Sequence, residues 1–235
     1  MLTQGIRTAG AAHFLARSRG TMVESVDVTS PWKIERVERL HIGCGMSPIP
    51  GWVNVDQFAL PGVDRVLDVG QGLPFEGVAF LYAEHFLEHL SLHEGLAFLR
   101  GCRRVLAPAG VLRLSTPNLD WVMQTHYHFG QWASDAEALE DCMQTNRAFR
   151  GWGHQFLYNP PTLALALRTA GFAEIQFHRY GESGRPELAG LERHETCPDE
   201  PAFPHVIIAE ASGIGATGAA NPEPFELYQR DLTLR

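Results

Sequence analysis

The stretch Leu40-His41-Ile42-Gly43-Cys44-Gly45, followed closely by Trp52-Val53-Asn54-Val55-Asp56, decides how the chain is read. Arg39–Gly43 is a short apolar strand that stops at a Gly-x-Gly, and Trp52–Asp56 is a second strand that ends on a carboxylate. Downstream, Arg65–Asp68 repeats the pattern of a short strand ending on an aspartate, and Val78–Ala83 is the continuous apolar run of a strand covered on both faces. Ser91-Leu92-His93-Glu94 has capping-box spacing, after which Leu92, Leu96, Leu99 and Leu106 recur at helical intervals until Pro108 stops them. Val111–Ser115 reads as the next strand. Asn159-Pro160-Pro161-Thr162 opens a helix that Gly171 closes, and Glu174–His178 and His205–Ala209 are late strands with no helical pattern between them. This alternation predicts an α/β fold, a parallel sheet with helices on both faces that ends in an antiparallel hairpin.

With 235 residues, 45% of them hydrophobic, the chain can bury the core of one large α/β domain or two small ones. The 19 basic residues are outnumbered by 27 acidic ones, a net charge of −8 with no basic block, which disfavours nucleic acid as a partner. No apolar run approaches the ~20 residues of a membrane helix. Arg7, His13, Arg17 and Arg19 interrupt any signal-peptide core. Cys44, Cys102, Cys142 and Cys197 form no C-x-x-C pair, the usage of reduced thiols rather than of a disulfide framework or zinc knuckle. The expectation is a soluble, cytoplasmic protein with no membrane partner. Residues 1–37 read as an N-terminal segment with a short helix around 5–18, 38–211 as the main domain, and 212–235 as a flexible tail of linker composition.

In open α/β sheets, ligands sit beyond the carboxyl ends of the strands, where strand order reverses. Gly43 and Gly45 remove side chains at such an end and let a ligand approach the backbone. Asp56, closing the second strand, can accept both hydroxyls of a ribose. Asp68, closing the third and followed by Leu73-Pro74-Phe75, offers an acceptor beside an apolar clamp for an adenine ring. A nicotinamide dinucleotide fits less well. The G-x-G-x-x-G fingerprint fails at Pro48, and Asp56 follows Gly45 by far fewer than the roughly 20 residues that fingerprint requires.

Leu40–Gly45, the Trp52–Asp56 strand, Leu73-Pro74-Phe75, Glu84–Leu90 and Arg104-Val105-Leu106-Ala107-Pro108-Ala109-Gly110 together resemble class I S-adenosylmethionine-dependent methyltransferases, in their type-11-like branch. The resemblance spans residues 38–117, and Asn159–Tyr180 is similar to the late helix–strand unit of that branch. It implies a Rossmann-like class I methyltransferase fold, a mostly parallel seven-stranded sheet with an antiparallel last strand. It also implies S-adenosyl-L-methionine as cofactor, with Gly43, Cys44 and Gly45 against its methionine moiety, Asp56 on the ribose and Asp68 near the adenine. His41, Leu73, Glu84 and His85 complete the implied cofactor set. The chain departs from the pattern at His41, where an acidic residue is usual, and at Ala79, Ala107 and Ala109. The segment Cys44–Gly51 is short for a crossover between parallel strands, so the first helix is expected to be truncated, with the N-terminal segment covering the gap.

Tyr82-Ala83-Glu84-His85-Phe86-Leu87-Glu88-His89-Leu90 is the densest polar cluster and follows the fourth strand. His85, Glu88 and His89 share one face of a helical turn. Either histidine is a candidate base for an acceptor hydroxyl, since methyl transfer from a sulfonium needs close in-line approach and an imidazole takes a proton near neutral pH. The plainer alternative is that Glu88 and His89 only tie the loop to the backbone. His85-x-x-Glu88-His89 also resembles the Glu-x-x-Glu-His metal motif of small-RNA 2′-O-methyltransferases and some quinone O-methyltransferases, with His126, His128 or His154 to complete it. Because the first ligand differs, the expected site has no metal, and metal-assisted RNA or quinone methylation stands as an alternative.

Residues 118–158 are expected to form a helical cap over the carboxyl edge of the sheet, shaping an acceptor pocket. Trp121, Tyr127, Arg150 and Trp152 are its candidate acceptor-binding residues, and His128 and His154 are further candidate bases. The tryptophans equally suit the small core of such a cap. The long polar loop 180–195 adds Glu182 and Arg193 to the acceptor set, with a solvated loop as the plain alternative. The expected function is transfer of a methyl group to a small polar acceptor, an oxygen of a sugar-like metabolite. The rival from another class is a non-catalytic S-adenosylmethionine-binding partner protein, suggested by His41, Ala79 and the short crossover.

Overall fold

The structure is a computed structural model that describes residues 33–193, 203–215 and 220–233. Its strands are β1 (Glu35–Arg36), β2 (Arg39–Ile42), β3 (Val53–Asp56), β4 (Arg65–Val66), β5 (Phe75–Glu76), β6 (Val78–Glu84), β7 (Leu106–Pro117), β8 (Glu174–His178) and β9 (Val206–Ser212). The α-helices are α1 (Leu92–Val105), α2 (Leu119–His126), α3 (Asp135–Arg150), α4 (Pro160–Thr169) and α5 (Glu223–Thr233). Seven strands form one sheet in the order β4-β3-β2-β6-β7-β9-β8, while β1 and β5 pair separately. Strands β2, β3, β4, β6 and β7 run parallel, and β9 runs antiparallel to both β7 and β8. This is the Rossmann-like α/β arrangement that the alternation implied, and strand order reverses between β2 and β6.

Period-two alternation assigns each strand residue to a face. Leu40, Ile42, Leu81, Ala83, Leu112, Leu114, Ile207, Ala209 and Ala211 point to one face, where they join the buried residues of α1 and α4 in the main core. The Ser91–Glu94 capping box starts α1 as its spacing predicted, with the Ser91 side chain accepting from Glu94 N and the Glu94 carboxylate accepting from Ser91 N. Asn159 caps α4, whose first turn holds the two prolines, and Gly171 follows it at φ +99.

The opposite face differs from the expectation of helices. Among the described residues it is closed by loop side chains: Ile49 and Trp52 before β3, and Leu188 with Leu191 from the segment after β8, all packed on Tyr82 and Val111. The crossover from β2 to β3 contains no helix, which extends the expected truncation to complete loss. Asn54 substitutes for the missing helix by bonding back onto the loop. Its Oδ1 accepts from Ile49 N, and its Nδ2 donates to the Ile49 and Trp52 carbonyls.

Three other expectations change. Helix α1 ends at Val105, so Leu106 is its C-cap and Leu106–Pro117 is one long strand containing Pro108. The third strand stops at Val66, and Asp68 instead caps a 3-10 turn, Val69–Gln71. The tail expected to be flexible carries α5, with Phe225 buried against the main core. The helix expected around 5–18, and the N-terminal segment expected to cover the crossover, lie outside the described residues. No helix among the described residues is long and apolar enough to cross a membrane.

Candidate active site

The glycine loop after β2 is built by backbone conformations that favour glycine. Gly43 and Gly45 lie at φ +68 and +51, in the left-handed region that costs a side-chain-bearing residue energy. Their surroundings differ. A Cβ on Gly43 would meet Phe86 Cδ2 at 2.6 Å, so Gly43 is demanded by packing against the turn after β6. A Cβ on Gly45 would meet nothing within 4 Å, so this backbone borders open space at the carboxyl edge of the sheet. Asp56 ties the loop to β3, its Oδ2 accepting from Gly45 N at 2.9 Å and its Oδ1 from Phe58 N at 3.0 Å. Cys44 is buried, and burial pushes its thiol up to about 11.

His41 points to the loop-covered face. It is buried, stacks obliquely near Tyr82, and donates from Nδ1 to Asn54 Oδ1 at 3.1 Å. Burial lowers it to about 4, which keeps the ring neutral. Leu73 is also displaced from its expected place in an open clamp. Its side chain is buried in the main core and its carbonyl accepts from Arg104. Asp68 is half-buried and accepts from Gly70 N and Gln71 Nε2.

Glu84 ends β6 and is joined there by the segment after β8. Arg193 N donates to Glu84 Oε1 at 2.8 Å, and the Arg193 guanidinium donates to the Ser47 and Pro48 carbonyls of the glycine loop. This segment is anchored from below by a buried ion cluster. Arg113, fully buried in mid-β7, donates to Glu192 Oε1 at 2.7 Å and to Glu210 Oε1 at 2.8 Å. Glu210 also accepts from Ser183 and Arg185. Glu182, by contrast, is exposed.

The turn after β6 gathers three of the predicted residues. His85 adopts φ +45, a left-handed conformation unusual for a side-chain-bearing residue. Its Nδ1 bonds Glu88 Oε1 at 2.9 Å, and Thr116 Oγ1 donates to Glu88 Oε2 at 3.0 Å. Burial alone would raise the fully buried Glu88 carboxyl, but the hydrogen bond and charge of His85 hold it below the usual carboxylate range. Burial likewise opposes protonation of His85, and the same carboxylate outweighs it, leaving that imidazole raised.

The cap returns to this turn. Residues 118–158 leave and rejoin the sheet edge side by side, with Leu119 N donating to Tyr158 O. They contain α2, α3 and a 3-10 turn, Gly151–Gly153, in keeping with a helical cap. His154 lies with its ring 5.2 Å from that of His89, and its Nδ1 donates to Ala148 O. Trp152 sits exposed at φ +57 under Arg147, whose guanidinium lies 4.7 Å from its ring. Arg150 is exposed at the end of α3.

A separate group surrounds His128. Its Nδ1 and backbone N both donate to Asp141, as does Trp132 Nε1. This fixes the tautomer and leaves Nε2 as the accepting nitrogen. His128 and Tyr127 line a cavity of about 520 Å³ with Asp120, Gln131, Phe129 and Phe203. Trp121 packs edge-on against His126 and His205. Thus His85, His89 and His154 come together, His128 stands apart, and the glycine loop is joined by Asp56, Glu84 and Arg193. Sequence reasoning missed Asn54, Arg113 and Asp141. A charged residue between Leu112 and Leu114, in a strand buried on both faces, was the one available signal for a buried ion cluster.

No family model and no curated protein matches the chain. Solved structures do resemble it. An S-adenosylmethionine-dependent methyltransferase from Mesorhizobium loti is 19% identical, with 76% of this chain and 92% of that one covered and a TM-score of 0.47. LepI in complex with SAM is 12% identical over 77% of this chain and 45% of its own, with a TM-score of 0.42. A proposed O-methyltransferase from Nostoc punctiforme is 17% identical over 58% of this chain and 32% of its own, with a TM-score of 0.32. The chain spans less than half the length of the last two. The strand order itself, rather than these partial overlaps, carries the fold.

Proposed function

We propose that the protein is an S-adenosylmethionine-dependent methyltransferase of the type-11-like branch, acting on an oxygen of a small, polar, sugar-like acceptor. One observation carries this reading. At the reversal of strand order between β2 and β6, the backbone of Gly45 borders open space and is held there by the carboxylate of Asp56. That arrangement fits a nucleoside-bearing ligand at the carboxyl edge of the sheet, with spare lone pairs on Asp56 for ribose hydroxyls. The cofactor, when bound, supplies an electrophilic sulfonium methyl group.

The chain's own residues then have three tasks. Gly43–Gly45 and Asp56 bind and orient the cofactor. Arg193, pinned to Glu84 and to the Ser47–Pro48 backbone, holds the glycine loop closed from the other side. His128, oriented by Asp141 in the cap cavity, accepts the proton released as the acceptor oxygen forms its bond to carbon. Tyr127 and the neighbouring aromatic rings supply the apolar walls on which a polar ring is held.

Calorimetric titration with S-adenosylmethionine and S-adenosylhomocysteine tests the reading, with Asp56→Ala as the comparison. Micromolar binding that Asp56→Ala abolishes is the expected result. Absence of binding to folded protein overturns it. Binding without turnover on any sugar-like acceptor selects the non-catalytic partner instead.

A further inference from the structure

Glu88, His89 and His154 offer one donor atom each, and these atoms all lie within 4.8 Å of one another. Two imidazoles and a carboxylate are the ligand chemistry of zinc-class divalent cations. At bond lengths of about 2.1 Å, tetrahedral ligand atoms stand about 3.4 Å apart, so modest side-chain rotations close the gap.

Three further features match a built site. The two segments carrying the ligands are tied together by backbone bonds, with Gln155 N and Phe156 N donating to Glu88 O and Gln155 Nε2 donating to His89 O. His154 donates its Nδ1 hydrogen to Ala148 O, which leaves Nε2 as the donor atom for a metal. The Glu88 carboxylate is itself held by Thr116 and His85, the outer-shell support that orients a ligating carboxylate.

We propose that Glu88, His89 and His154 form a binding site for one zinc-class divalent cation at the base of the cap. The site staples residue 154, at the end of the insertion, to the turn after β6. It stands independently of methyl transfer, because metal binding is read without cofactor or turnover.

The test uses the untagged full-length protein. Elemental analysis after metal reconstitution and buffer exchange is expected to find about one zinc per chain. Competition with a chromophoric chelator is expected to show at least tenfold weaker zinc binding for His89→Ala and for His154→Ala. His93→Ala, on the exposed face of α1, leaves zinc binding unchanged. Should either alanine variant lose its fold, His154→Cys loaded with cobalt supplies the answer: a thiolate-to-cobalt absorption band appears only if side chain 154 touches the metal. No zinc on the intact chain, zinc binding that survives both folded histidine variants, or a cobalt-loaded His154→Cys protein without that band overturns the proposal.

Discussion

Gly45 N donates to Asp56 Oδ2 at 2.9 Å, joining the glycine loop after β2 to the end of β3. The carboxylate therefore shapes the loop before any ligand arrives. Asp56→Ala removes this part-buried acceptor, with an expected loss of about 1–3 kcal/mol, and the exposed one for Phe58 N, which water replaces at little cost. Cofactor affinity is expected to fall at least tenfold. Denaturant unfolding and calorimetry on the same preparation separate the two effects.

Gly43→Ala is expected to be destabilising for two separable reasons. The left-handed backbone costs a Cβ-bearing residue about 1–2 kcal/mol, and the new methyl meets the Phe86 ring at 2.6 Å. Adding Phe86→Leu should relieve the second cost and leave the first. A double-mutant cycle in urea checks this, and strict additivity would contradict the contact.

Arg113→Met leaves Glu192 and Glu210 buried without their central cation. The expected destabilisation is about 3–5 kcal/mol, the usual cost of breaking a buried pair from one side. Because Glu192 adjoins Arg193, limited proteolysis between residues 179 and 193 should also accelerate in the folded variant.

His41 links stability to pH. Its folded value of about 4 lies below the ordinary 6.5 because burial disfavours the charged ring. Above pH 6.5 the group is neutral in both states. Between 6.5 and 4 the unfolded chain takes up a proton that the folded chain refuses, so stability falls as pH falls, by on the order of 3 kcal/mol in all. In His41→Gln this component disappears. Unfolding midpoints measured from pH 7.5 to 4.5 should therefore fall less steeply in the variant.

His128→Gln is expected to lower turnover by about 10²–10⁴-fold while leaving cofactor binding intact. Asp141→Asn should act through His128, whose ring it orients, lowering turnover without changing cofactor affinity. Equal loss of cofactor affinity in either variant would place the cap residues elsewhere in the reaction.

Local pattern was enough for the elements whose signals are local. The strand ends at Ile42 and Asp56, the Ser91–Glu94 capping box and the Asn159–Gly171 helix all follow from residues within one turn of each other. Strand alternation likewise made the parallel sheet and its antiparallel finish legible. What required the tertiary structure is which distant groups meet. Nothing near His41 announces Asn54 as its partner, and nothing near Arg113 announces Glu192 and Glu210. The cap histidines looked alike in sequence, yet His154 returns to Glu88 while His128 turns to Asp141. Periodicity, caps and the glycine turn are written locally in the chain, because they arise from backbone sterics and short-range hydrogen bonds. The polar pairings come from packing, because a buried charge takes its partner from whichever strand or loop the packed sheet brings within reach.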